Sequence, residues 1–139
     1  MNGDFYFEQN PWNRACECID ANKLGKVLHV SAQCVCEKGE KDSTLQKWKD
    51  RVTALAGDEC RGNALQAGNA ISYVGVFGDN AVVRFFIDDG AEDVSENFEI
   101  VTEKSLIVWK PNGTNQGHML SSEGCFIEAS QEYVEDLEV

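Results

Sequence analysis

A chain of 139 residues and 15.4 kDa, 42% apolar and 26% charged, has the size and composition of one folded domain. No apolar run approaches the ~20 residues that span a bilayer, and a formal charge of −12 excludes the basic surface needed to grip a nucleic acid directly or an anionic membrane. The first residues, Met1-Asn2-Gly3-Asp4-Phe5, lack the basic-then-apolar order of a secretory leader. That predicts a cytoplasmic protein, or a periplasmic or secreted one if a leader has been removed.

In chain order, Phe5-Tyr6-Phe7 suits a brief strand or an N-terminal strap, and Asn10-Pro11 reads as a turn. Residues 15–19 read as a short strand, 20–26 as a turn, 27–30 as a second strand and 37–42 as a charged loop. The clearest signal is a helix over about 44–56. Ser43 stands three residues before Gln46, a capping-box spacing, and Leu45, Trp48, Val52 and Leu55 share one helical face. Gly57 is a natural stop. Beyond residue 69 the texture is that of strands. Residues 70–77 and 81–87 flank Gly78-Asp79-Asn80 as a β-hairpin. Residues 97–101 and 105–109 form the next pair, 111–117 a polar loop, and Cys125-Phe126-Ile127 opens a last short strand. Together these predict a single α+β domain over 1–139: one amphipathic helix (about 44–56) packed on an antiparallel β-meander of four to six strands, ending in an acidic segment at about 131–139.

The charge is unevenly spread. Residues 1–84 carry 11 acids and 10 bases, whereas residues 85–139 carry 13 acids and 2 bases. Such a half-molecule would attract and steer a cationic partner. The expectation is therefore a small acidic interaction protein of the inhibitor, immunity-protein or DNA-mimic type, docking on a basic protein surface such as a toxin or a nucleic-acid-binding protein. The predicted contact acids are Asp88, Asp89, Glu92, Asp93, Glu96, Glu99, Glu132, Glu135 and Asp136, with Trp109 and Tyr133 as apolar anchors. The plainer account is that the acids confer solubility and guard edge strands.

Six cysteines include two Cys-x-Cys pairs, Cys16/Cys18 and Cys34/Cys36. On two strands of a hairpin they would gather four sulfurs on one face. Zinc binding through Cys16, Cys18, Cys34 and Cys36 is one reading, although the usual spacing is Cys-x2–4-Cys. Disulfides would instead make the chain a stapled secreted or envelope domain that binds or senses. Buried free thiols are the third reading.

Catalytic signals are few. His29 lies within an apolar strand, and His118 follows the 111–117 loop. No Gly-x-Ser-x-Gly, His-Glu-x-x-His or phosphate-cradling glycine loop occurs. A nucleophilic Cys34 or Cys125 beside a histidine has no local support in the sequence. A non-enzyme without cofactor is expected. Asn112-Gly113-Thr114 fits a glycosylation acceptor, a triplet common by chance.

Overall fold

The computed structural model describes residues 11–21, 23–90, 94–111, 117–121 and 126–127. Helix α1 runs Pro11–Ala21. Strand β1 (Val27–Val35) leads into helix α2 (Lys41–Ala56). Strands β2 (Arg61–Ala67), β3 (Ala70–Phe77), β4 (Ala81–Asp88), β5 (Ser95–Thr102) and β6 (Leu106–Pro111) follow, then two short ones, β7 (Gly117–Ser121) and β8 (Phe126–Ile127). The class is α+β, as expected. The expected four to six strands become eight among the described residues, in the order β2-β3-β4-β1-β5-β6-β7-β8.

The sheet is mixed rather than wholly antiparallel. β1 pairs antiparallel with β5 (Val30↔Ile100) but parallel with β4 (Val30↔Val83). A parallel neighbour needs a crossover, and α2 with the β2-β3 hairpin supplies it. Sequence patterning follows local hairpins well, so the β3-β4 and β5-β6 hairpins fall where predicted. The β1–β4 partnership joins residues more than fifty positions apart and leaves no local mark.

Residues 15–19 are helical, not a strand. The residues of α1 that bury themselves are Trp12, Ala15, Cys18 and Ile19, spaced as one helical stripe. Pro11 fits its first position, where no backbone N–H is needed. Helix α2 begins at Lys41, earlier than the capping-box spacing implied. Ser43 Oγ donates to the Glu40 backbone carbonyl (3.0 Å) and carboxylate (2.7 Å), and Gln46 donates to Asp50, so no Ser43–Gln46 box forms. The stop is as expected: Gly57 is left-handed (φ 79°) and its N–H donates to the Thr53 carbonyl.

Both helices contribute to one apolar cluster with one face of the sheet. Trp48 of α2 is wholly buried at its centre. Its ring lies 5.3 Å from Trp12, 5.7 Å from Phe85 and 5.9 Å from Phe98, centroid to centroid. Valine, isoleucine and aromatic residues alternate with exposed ones along β3 and β4, which is how a strand buries one face only. β2 is different. All seven of its residues are exposed, and it adheres through close backbone pairing. Gly62 lies across from Gly75, and a Cβ on Gly62 would meet the Val74 carbonyl at 2.3 Å.

Trp48→Ala is expected to lower unfolding free energy by about 3–5 kcal/mol. Leu65→Ala on β2, where the side chain is 72% exposed, should change it by less than about 0.5 kcal/mol. Denaturant unfolding of the two variants beside the parent checks both values.

Candidate functional site

Helix α2 aims two cations at β5. Lys47 Nζ lies 3.3 Å from Glu96 Oε2, and Arg51 Nη1 lies 3.2 Å from Glu96 Oε1. The Arg51 guanidinium also stands 4.6 Å over the Trp48 ring, a cation–π arrangement that fixes the fork. Around this ion triad α1 and α2 form an open groove of about 720 Å³, with Ser43, Gln46, Lys47, Asp50 and Arg51 as polar lining and Trp12 at its wall. The groove presents hydrogen-bond donors and acceptors suited to hydroxyl-bearing molecules. Its one guanidinium, that of Arg51, is already engaged by Glu96.

The acidic residues predicted to form one exposed face are dispersed. Asp89 is buried; its carboxylate accepts from the Gly39 N–H (3.0 Å) and lies 4.0 Å from Lys41 Nζ. Asp88 is half-buried and accepts from the Gly90 N–H. Glu96 is neutralised by Lys47 and Arg51, bases of the front half. Glu99 alone of the described set is exposed, on the side of β5 away from the helices. Trp109, expected as a surface anchor, is 3% exposed and belongs to the core, because it alternates with exposed residues toward the helix side. Glu92, Asp93, Glu132, Tyr133, Glu135 and Asp136 lie outside the described residues, as do Phe5-Tyr6-Phe7, Asn112-Gly113-Thr114 and Cys125.

The cysteine expectation is also corrected. Cys16 and Cys18 lie on α1, where residues two apart point in different directions, so they do not oppose Cys34 and Cys36 across a hairpin. Among the described residues no disulfide joins Cys16, Cys18, Cys34, Cys36 or Cys60. Among the described residues no group of three or more His, Cys, Asp or Glu side chains is gathered for a metal ion. Burial first, then the nearby Glu96 charge, pushes the Cys34 thiol up to about 12. Lys47, the Trp48 N–H and Arg51 favour its thiolate without offsetting this. Burial likewise pushes Cys16 up to about 11, against the pull of Arg51. Thiols held protonated in this way are inert, which removes Cys34 as a nucleophile. Trp48 Nε1 itself is buried without a hydrogen bond of ordinary geometry among the described residues.

Among the described residues no helix covers the other face of the sheet. Val74, Val76, Val82, Phe86 and Leu106 are exposed there, and His29 is half-buried on β1. The alternation that suggested core strands says nothing of what covers the second face, so sequence reasoning did not single these residues out as a surface.

Raised thiol pKa values have a consequence for stability. The unfolded thiol ionises near 9.0 while folded Cys34 keeps its proton to about 12. The unfolded state therefore binds fewer protons in that window, and stability falls as pH rises through it. Cys34→Ala should show a shallower alkaline loss than the parent in unfolding experiments between pH 8 and pH 11. An equally steep loss would contradict the burial of this thiol.

Comparisons with known proteins complete the picture. No protein-family model and no curated protein matches the chain. Solved structures do resemble it. A levoglucosan dehydrogenase in complex with NADH and levoglucosan aligns with a TM-score of 0.63 at 12% identity, covering 94% of this chain and 48% of that one. The scyllo-inositol dehydrogenase of Lactobacillus casei aligns at 0.60 and 13% identity, with 96% and 48% covered. The UDP-N-acetylglucosamine 3-dehydrogenase of Acidithiobacillus ferrooxidans aligns at 0.62 and 9% identity, with 96% and 48% covered. The chain thus spans about half the length of the structures it resembles. These likenesses overturn the inhibitor, immunity-protein and DNA-mimic reading, and with it the stapled secreted-domain alternative: the fold is one found within oxidoreductases.

Proposed function

We propose that this chain is the sheet domain of a two-part oxidoreductase acting on a hydroxylated ring compound, with a dinucleotide-binding unit, in the same polypeptide or another, supplying the redox chemistry. The observation that carries this reading is the fold likeness, which takes in nearly all of this chain and about half of each dehydrogenase. The names of those enzymes supply the substrate class: an anhydrosugar, a cyclitol and a sugar nucleotide share a ring bearing hydroxyl groups.

The residues of this chain do not fit a nicotinamide dinucleotide. Such a cofactor places its pyrophosphate on free backbone N–H groups at a glycine-rich turn from strand to helix. The corresponding turn here, between β1 and α2, has Gly39 as its one glycine, and the Gly39 N–H is already donated to Asp89. Glu37, Glu40 and Asp42 line the same turn and would repel phosphate. The dinucleotide therefore belongs to the other unit. What this chain offers a substrate is the polar groove beside Lys47 and Arg51.

Fluorescence titration of the 139-residue chain with NADH should show no saturable binding. Amide chemical-shift mapping with scyllo-inositol and levoglucosan at millimolar concentration should move residues of the α1–α2 groove, and Gln46→Ala should reduce those shifts. Stoichiometric NADH binding by the chain, or ring compounds that leave the groove unmoved, would contradict the reading.

A further inference from the structure

The groove between α1 and α2 carries its own counter-ion. Glu96, half-buried at the start of β5, does not line the groove but takes up both of the cations that do. Its Oε1 accepts from Arg51 Nη1 at 3.2 Å and its Oε2 from Lys47 Nζ at 3.3 Å. Arg51 has little freedom to turn elsewhere, since its guanidinium lies 4.6 Å from the Trp48 ring centre and 5.9 Å from that of Trp12. Further carboxylates stand at the groove. Asp50 accepts from Gln46 Nε2 at 2.9 Å, and Glu40 accepts from the Ser43 hydroxyl at 2.7 Å. Glu40, Asp50 and Glu96 therefore outnumber Lys47 and Arg51, and both cations are already taken.

We infer that Glu96 is a specificity-determining residue, which makes the groove select uncharged hydroxylated rings and turn away ring carboxylates and phosphates. The inference rests on the reading of this groove as the substrate site. An incoming anion would have to displace Glu96 from Arg51 and Lys47. Glu96 is tethered to the sheet and contacts both at once, so it competes at an effective concentration far above that of a free ligand. The anion gains little elsewhere, because it only accepts hydrogen bonds while Asp50 and Glu40 repel it. A hydroxyl group both donates and accepts. It matches a lining that offers the second Asp50 oxygen and Gln46 Oε1 as acceptors, and the Lys47 N–H groups beyond the one given to Glu96 as donors. Neutralised cations also leave no field to draw anions in from a distance. A purely structural ion triad would hold α2 to β5 without altering which ligand binds, so ligand preference separates the two roles.

Glucose and glucuronate differ at one carbon, a hydroxymethyl group against a carboxylate. Amide chemical-shift titration of the full chain with each gives the ratio of their dissociation constants, and the same spectra show that each variant folds. In the parent, glucuronate should bind at least about tenfold more weakly than glucose. Glu96→Gln keeps an oxygen for Arg51 but removes the charge, and should shrink that ratio by at least about tenfold. Glu96→Asp keeps the charge and should keep the preference for glucose. Glu99→Gln removes one charge from the far side of the same strand and should leave the ratio as in the parent. Lys47→Gln, at an exposed position, leaves Glu96 less compensated and should widen the ratio by at least about threefold, a test that stands even where Glu96→Gln does not fold. Equal binding of the two sugars by the parent, an unchanged ratio in Glu96→Gln, or the same change in Glu99→Gln would each overturn the inference while leaving the groove a ring-binding site. If glucose and scyllo-inositol both leave the groove of the parent unmoved, the substrate reading falls and this inference with it.

Discussion

The architecture depends on holding β1 between β4 and β5. A parallel partner for β1 cannot be reached by a tight turn, so the chain has to leave the sheet and return. Helix α2 occupies that excursion, and Trp48 is the side chain that ties it to the sheet. The indole touches Trp12 of α1, Phe85 of β4 and Phe98 of β5, the two strands that flank β1. One side chain thus fixes the helix layer and the middle of the sheet together. The ion triad builds on the same placement, since Lys47 and Arg51 flank Trp48 in sequence and reach Glu96 near the start of β5.

How far these features could be read from sequence depended on their range. The β3-β4 hairpin was legible because Gly78-Asp79-Asn80 separates two alternating runs, and the end of α2 because Gly57 adopts the left-handed geometry that ends helices. Helix α1 is not legible in the sequence because Cys16-Glu17-Cys18 mimics strand alternation, while the real stripe begins at Trp12, just past the turn signal Asn10-Pro11. Strand β2 was missed because Gly62, Ala64 and Gln66 bury nothing, so no periodic signal exists. The groove was not visible at all: Glu96 looked like one more acid in an acidic half until the fold brought it to Lys47 and Arg51.

Net charge misled for the same reason. The count of acids beyond residue 84 is real, but a count does not say which carboxylates meet cations. Asp89 folds under the β1–α2 turn to accept from Gly39, and Glu96 meets two bases of the front half. Glu99 remains, exposed on the side of β5 away from the helices.

The central claim is that β1 is the sheet's inner strand, paired in parallel with β4 under a layer anchored by Trp48. Amide hydrogen exchange followed by NMR tests it most directly. The account predicts the slowest exchange at β1, β4 and β5, with β2 among the fastest strands, since open edges exchange through local fluctuations. Rapid exchange along Val27–Val35, with β2 protected as well as β4, would contradict it.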